Sequence, residues 1–557
     1  MTFNVKKHKD ELLFLPLGGA GEIGLNLNLY HYKGKWLVVD FGAGFADDYL
    51  PGVDMIVPDI NFLISQRDNI IGIVLTHAHE DHLGAVQYLW DELRCPIYAT
   101  PFTATFLKAK TAEMSFSREM NIIEVVCGGK INLDPFIIDL VALTHSAPEM
   151  HALVIKTELG NIMHTGDWKF DHNPLIGEAN DEELLKSYGN EGILAMIGDS
   201  TNVFNQGYSG SEGDLRESLI KLIEPCERMV VVTTFASNVA RIETVIKAAE
   251  AAGRRVVLSG RSLWRIVNAA QETGYLTDIA PFLDEKEFSK FPRNKVLVLA
   301  TGCQGEPLAA TTKMATGAHP AIRLTPGDTV IFSSKIIPGN EKKIFRLFNF
   351  FVKLGVEVLT EKDHFVHVSG HPAREELKKM YELVRPKVAI PVHGELVHMH
   401  EHAKLAKEWG TPHAIQVENG DVIRLAPGEA QKIAQVEAGY LAIDGNYLLS
   451  PKSPVMRMRR KMQNDGIIVV TLIMSHQATL RINPIIDAPG CLDHNEDKQI
   501  ILAISDEIQY VLDEFERNRP KKLQEEHVVN IVRSAIRRVI RSEVGKNPVI
   551  EVNIRKI

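Results

Sequence analysis

IIGIVLTHAHEDHLGA, residues 70–85, runs apolar from Ile70 to Leu75 with one glycine, then places His77, His79, Asp81 and His82 within six positions. A short apolar run that ends in a polar cluster reads as a buried strand feeding a turn and then a helix. Imidazole and carboxylate suit a borderline divalent metal such as zinc, and alternate residues on a tight turn can direct side chains to two adjacent ions. A lone histidine would read as surface or as satisfied core. Three histidines and an aspartate in this packing read as the start of a metal centre.

A metal pair needs further ligands, each at a strand end where the backbone can aim it. Three places qualify. His145 follows the apolar stretch 137–143, Asp167 follows IMHTG, and His393 follows KVAIPV. Taken singly, each is an ordinary capping aspartate or polar loop histidine. Together they predict His77, His79 and His145 on one ion, Asp81, His82 and His393 on the other, and Asp167 bridging.

Outward from this cluster, the chain up to about residue 170 alternates short apolar segments with glycine, which reads as a sheet. Between about 215 and 365 the rhythm becomes strand, helix, strand: RMVVVTTF, a helix over 239–252, RRVVLSG, then NKVLVLATG and DTVIFSS. That is a parallel α/β unit. From about 366 the strand-rich style returns, as if the first domain resumes after an insertion. Residues 450–462 carry five basic residues, two prolines and no acid, which reads as a linker or an extended arm. A small C-terminal unit follows, beginning with GIIVVTLIM and ending in a helix with Arg533, Arg537, Arg538 and Arg541.

The strings LGGAGEIGLN, LTHAHEDHLGA, HTGDWKFD, DSTN, FASN, TGCQGEP, HVSGHP and PVHGE resemble the metallo-β-lactamase superfamily, and within it the β-CASP nucleases, most closely the bacterial ribonuclease J family. The resemblance extends over about residues 10–450. It implies an α/β fold: a metallo-β-lactamase αββα sandwich with an inserted β-CASP α/β domain and a small α+β C-terminal domain. With the patterning, it sets expected boundaries at 1–213 and 365–450 for the two parts of the metallo-β-lactamase domain and at 214–364 for the β-CASP domain. A basic linker is expected at 451–464 and the C-terminal domain at 465–557.

The resemblance further implies a ribonuclease that hydrolyses RNA phosphodiester bonds with a hydroxide activated by two metals. It would act 5′ to 3′ as an exonuclease with endonuclease activity, in rRNA processing, mRNA decay and RNA maturation. Two divalent ions per subunit are expected, zinc with manganese as the alternative, and single-stranded RNA as partner to a homodimer or homotetramer. By the same resemblance Asp40 supports the ligands and Asp199 belongs to the β-CASP motifs. Asp81 or Asp167 orients the hydroxide, and His371 contacts the scissile phosphate or assists the leaving oxygen. Ser237, Asn238, His367, Val368, Ser369, Gly370 and His371 form the phosphate-gripping pocket. One position departs: Cys303 stands where the family commonly has serine, which puts a role for that hydroxyl in doubt. Two rivals are a catalytically silent RNA-binding or assembly subunit and a di-iron oxidoreductase on the same fold. The complete ligand set argues against the first, and His79, where the oxidoreductases carry glutamate, against the second.

At 557 residues, 45% hydrophobic and 24% charged, the chain has enough apolar material for several cores and is not a disordered or fibrous sequence. A net charge of −9 means that any RNA contact must use local basic surface. Five scattered cysteines without a C-x-x-C pair argue against a disulfide framework and fit a reducing cytoplasm. Lys6, Lys7 and Lys9 before an apolar run superficially resemble a secretory signal, but Asp10 and Glu11 interrupt it. No apolar run approaches the ~18 residues that span a bilayer, so no membrane partner is expected. Gly19-Ala20-Gly21-Glu22-Ile23-Gly24 matches a dinucleotide fingerprint, but Leu25, Leu27 and Leu29 alternate with polar residues where a helix is required. His398 and His402 read as an exposed helix face.

Overall fold

Strand Ile70–Val74 lies inside an eight-stranded sheet. The computed structural model describes residues 3–475, 479–517 and 525–557. Across that sheet the order is 431–435, 421–426, 12–18, 27–32, 35–39, 70–74, 97–99 and 122–124. The first five of these strands are antiparallel neighbours, and the last four run parallel to one another. Parallel neighbours need crossover connections, which helices Val86–Leu93 and Pro101–Thr111 supply. A seven-stranded sheet faces it, in the order 130–133, 136–142, 151–157, 160–164, 193–199, 388–392 and 413–414.

Leu12, Phe14, Tyr30, Leu37 and Val74 from the first sheet meet Ile138, Leu140, Ile155, Ile162, Ile197 and Ile390 from the second in one core. The strand period of two then sends Val141, Val154 and Met196 to the outer face of the second sheet. There they pack against Leu185, Tyr188, Leu377, Met380 and Leu405 of helices Glu182–Glu191, Arg374–Val384 and Leu396–Glu408. The result is the expected αββα sandwich.

The insertion is visible in the pairing. Strand Ile193–Asp199 lies parallel to Val388–Val392, and between them in sequence the chain builds a separate sheet. Its five strands are all parallel, in the order 255–259, 296–300, 230–233, 329–332 and 357–359. Val230–Thr233 and Val296–Ala300 are buried on both faces, which explains their unbroken apolar runs.

Contacts divide the chain into two units, Met1–Gly44 with Val57–Gly439, and Phe45–Ile56 with Tyr440–Ile557. In the second, strand Ile467–Met474 buries alternate residues and pairs with Ile485–Asp487 and, in parallel, with Val549–Lys556. Ile468, Val470 and Leu472 pack with Ile504, Ile508, Val532 and Ile536 of helices Lys498–Arg517 and Glu525–Glu543.

Two expectations for this region are corrected. The stretch expected as a linker or extended arm contains a helix, Pro454–Asp465. Ser453 caps it by accepting from the Met456 N–H, and Pro454 occupies its first turn, where a missing N–H costs nothing. The chain closes on strand Val549–Lys556 instead of the arginine-bearing helix, because alternating apolar residues fit the open edge beside Ile467–Met474. Among the described residues, no helix is long and apolar enough to cross a membrane, and all five cysteines are free.

Candidate metal centre

The site begins with Asp40, at the end of strand Lys35–Val39 and in the left-handed region at φ 63°. Its N–H donates to the Val74 carbonyl at 2.9 Å, pinning it to the neighbouring strand end. Its carboxylate accepts from the Thr76 N–H at 2.8 Å, from the Thr76 hydroxyl at 3.0 Å and from His82 Nδ1 at 2.7 Å. With Nδ1 committed to Asp40, His82 turns Nε2 towards Asn26 Nδ2 at 3.2 Å and Asp167 Oδ2 at 3.1 Å. Asp40 thus ties His82 to Thr76 from behind the cluster.

Three groups of side chains converge. The ligand atoms of His77, His79 and His145 lie within 4.8 Å of one another, and so do those of Asp81, His82, Asp167 and His393. Asp199, His371 and His393 form a third, adjacent group by the same distance. The three rings of the first group stand 4.6 to 4.9 Å apart between centroids. In the second, Asp167 Oδ2 lies 3.1 Å from His82 Nε2 and 3.4 Å from His393 Nε2, with Asp81 Oδ2 at 3.7 and 3.8 Å from the same two nitrogens.

Buried polar atoms nearly always have a partner. Here His77 Nε2, His393 Nε2 and Asp167 Oδ1 are buried without any hydrogen-bond partner among the described residues. These three orphans lie in the two ligand groups, and the donors are imidazole and carboxylate, the set that borderline divalent ions take. The residues present fit a metal pair. Asp167 directs Oδ2 at the second group and keeps Oδ1 unpartnered among the described residues.

The electrostatics agree. Burial holds His77 and His145 well below the usual imidazole pKa, and His79 down to about 4, so these three are neutral and have lone pairs to give. Burial also opposes charge on His82 and His371. For His82 it is outweighed by Asp167, Asp40 and Asp81, which raise its pKa well above normal. For His371 it is outweighed by Asp199 and Asp167, which bring the pKa to about 9. The carboxylate half of the site attracts positive charge.

Around this centre the sequence-predicted pocket residues divide. The segment 367–371 is brought against it. The Gly370 carbonyl accepts from His145 Nδ1 at 2.6 Å, which turns His145 Nε2 towards His79 Nδ1 at 3.1 Å, and His371 Nδ1 donates to Asp199 Oδ2 at 2.7 Å. The Ser369 hydroxyl accepts from Asn202 Nδ2 at 2.7 Å and from the His371 N–H at 3.1 Å. Val368 is buried, and burial holds the His367 pKa well down. Asn238 Oδ1 is spent capping helix Val239–Ala251 by accepting from the Arg241 N–H. Ser237 is half-buried in the turn before that helix, its carbonyl accepting from the Val239 N–H at 3.1 Å.

Cys303 is buried and its thiol is pushed up to about 12, mainly by burial, so it is an inert packing group. His402, expected on an exposed face, is fully buried, with Nδ1 2.9 Å from the Ser200 hydroxyl and Nε2 3.0 Å from the Tyr381 hydroxyl. Each hydroxyl satisfies one ring nitrogen, which makes the burial affordable.

Sequence reading missed Asn26 and Asn202. Asn26 accepts from His393 Nδ1 at 3.0 Å and donates to the Asp81 carbonyl at 3.1 Å, so it orients one ligand from each end of the second group. Asn202 holds Ser369 and the His371 carbonyl. Both end motif strings, LGGAGEIGLN and DSTN, and a terminal asparagine in each was the available signal.

Comparison with known proteins follows the same lines. Residues 25–233 match the family described as metallo-beta-lactamase superfamily, and 227–351 match ribonuclease J, beta-CASP domain. Residues 355–417 match Zn-dependent metallo-hydrolase RNA specificity domain, and 454–557 match ribonuclease J C-terminal domain. The chain is 41% identical to ribonuclease J of Sinorhizobium meliloti over 98% of both chains. It is 36% identical to ribonuclease J of Thermus thermophilus, over 85% of this chain and 84% of that protein. To ribonuclease J2 of Bacillus subtilis it is 33% identical, over 91% and 92%. A crystal structure of a protein of unknown function from Enterococcus faecalis V583 superposes with a TM-score of 0.53 at 18% identity, covering 74% of this chain and 99% of that one, and supports the fold alone. With the metal-fitting centre, the RNA specificity match and full-length relatives in agreement, the chain belongs to the ribonuclease J family and is a metal-dependent, RNA-binding ribonuclease.

Proposed function

We propose that this ribonuclease removes nucleotides from single-stranded RNA in the 5′-to-3′ direction and also cuts internally, in rRNA processing, mRNA decay and RNA maturation. The convergence of His77, His79 and His145 beside Asp81, His82, Asp167 and His393, with His371 against Asp199, carries this reading. We assign those seven residues as ligands of two divalent ions, zinc or manganese. Bound there, such ions supply Lewis acidity and bring the pKa of water towards neutrality.

The chain's own groups then have separate tasks. Asp81 and Asp167 present carboxylate oxygens beside His82 and His393 and orient the attacking water. His371 has one nitrogen committed to Asp199, so the other is the one available to a phosphate oxygen or to the leaving oxygen. The Ser237 hydroxyl, the Asn238 amide, His367, and the Val368, Ser369 and Gly370 backbone line the side where a 5′ phosphate is held, since hydroxyls, amides and exposed N–H groups suit phosphate oxygens.

The domain boundaries of this reading are 1–213 with 365–450, 214–364 and 465–557, with the basic segment 451–464, which carries most of helix Pro454–Asp465, between 365–450 and 465–557. Homodimeric or homotetrameric assembly follows from the family resemblance, and free cysteines support a cytoplasmic setting. The test is a set of RNAs differing only at the 5′ terminus. Release of mononucleotides from labelled 5′-monophosphate RNA, abolished in His77→Ala and Asp81→Ala, is the expected result. Internal fragments alone would defeat the exonuclease assignment. Sedimentation of the full chain decides the assembly.

A further inference from the structure

Arg241, on helix Val239–Ala251 of the inserted domain, is fully buried. A guanidinium carries five N–H donors in a fixed fork and keeps its charge, so burial is tolerable only where those donors are met. Nε and Nη2 pair with the Glu212 carboxylate at 3.1 and 2.8 Å. Nη2 also donates to the Val368 carbonyl at 3.2 Å. Nη1 donates to the Ser333 carbonyl and hydroxyl at 3.0 and 2.8 Å, with His367 Nδ1 at 3.4 Å and the Val366 carbonyl at 3.5 Å.

Both ends of this set lead to the metal centre. The Glu212 N–H donates to Asp171 Oδ2 at 3.1 Å, and Asp171 pairs with buried Lys169 at 2.9 Å, both within four residues of Asp167. Phe170, between them, donates its N–H to Glu376, whose carboxylate also accepts from the Ala373 N–H two residues beyond His371. On the other side, the carbonyls that Arg241 grips belong to Val366 and Val368. The next residues of that segment carry the Gly370 carbonyl that orients His145 and the His371 ring held by Asp199. One guanidinium thus joins the segment after Asp167 to the segment that aims His145 and His371.

We propose that Arg241 is a positioning residue that registers the inserted domain against the metal centre. Held by Glu212, it fixes segment 366–371, and through that segment the orientation of His145 and the placement of His371. The inference rests on the metal-centre reading above. An arginine serving only as glue between domains would move stability alone. Arg241 moves metal affinity and turnover in proteins that remain folded.

Arg241→Met strands a buried carboxylate and is expected to fold poorly. The informative variants are the double replacement Arg241→Met with Glu212→Met, which removes both charges, and Arg241→Lys, which retains the pair but cannot reach Ser333, Val366 and Val368 together. Full-length proteins are titrated with zinc and, separately, manganese against a competing chelator. Hydrolysis of 5′-monophosphate RNA and thermal unfolding of the metal-free proteins are measured alongside. The expected result is a thermal midpoint close to wild type, apparent metal affinity reduced about ten-fold or more, and a similar or larger fall in kcat. Folded variants that retain both within two-fold overturn the proposal, as does failure of both variants to fold, which makes Arg241 a folding residue only. A wild-type protein that takes up neither metal removes the metal-centre reading and this inference with it.

Discussion

A Cβ on Gly370 would lie 2.7 Å from His145 Cε1 and 2.9 Å from its Nδ1. The Gly370 carbonyl accepts from that same ring, so the backbone and the imidazole must lie close together. Gly370→Ala is expected to displace His145 and lower metal affinity about 10- to 100-fold without unfolding the protein. Chelator competition on a variant with native circular dichroism measures this, and unchanged affinity would refute it. His31 and His402 are both fully buried, and burial lowers each pKa to about 4. The unfolded chain takes up these protons near pH 6.5 and the folded chain only near 4, so their contribution is intact above pH 6.5 and is lost as pH falls towards 4. At pH 5 each costs about 2 kcal/mol relative to pH 7. Urea unfolding at the two pH values should show the loss, and His402→Asn should make the pH dependence shallower. The convergent cluster was legible at this scale because dense runs of histidine and aspartate are rare. Arg241, Lys169, Glu376 and His402 were not legible, because a charged or polar residue reads as surface until its partners, distant in sequence, are known.

The elements that carry the site were largely readable. An apolar strand ending in a polar turn places its last residues at a sheet edge, and His77, Asp167 and His393 all follow such strands. Helix Pro454–Asp465 was not readable in the same way. A proline preceded by serine signals a turn and, equally, a capped first turn, and only the hydrogen bond from the Met456 N–H to Ser453 separates the two. Ser453→Ala should therefore destabilise the helix by about 1 kcal/mol, read from denaturant unfolding of the full chain. No measurable loss would mean that packing of Met456, its one fully buried residue, suffices. Helix Leu396–Glu408 shows the opposite difficulty. Its buried positions Met399, His402, Leu405 and Ala406 keep helical spacing, but a histidine in that stripe disguised it.

At the scale of the molecule, the return of the sandwich after residue 365 was legible because the strand rhythm changes twice. The closure of the site was not, since it depends on strands 193–199 and 388–392 lying side by side across the whole insertion. A ligand that binds only the folded chain stabilises it by mass action. If the three orphaned buried atoms are met by metal, adding chelator should lower the thermal midpoint. At metal concentrations one hundred times the dissociation constant the difference is about 2.7 kcal/mol. Identical melting curves with and without chelator would exclude a tightly held ion.

The spread of the cluster from His77 to His393 also has a temporal meaning. Ribosomes deliver a polypeptide from its amino end, so a nascent chain carries the HAHEDH cluster long before it carries the last imidazole. Until residue 393 has emerged from the exit tunnel and strand 388–392 has docked, the growing enzyme is incomplete. A nascent chain therefore cannot assemble the seven-residue cluster until most of its length has been made.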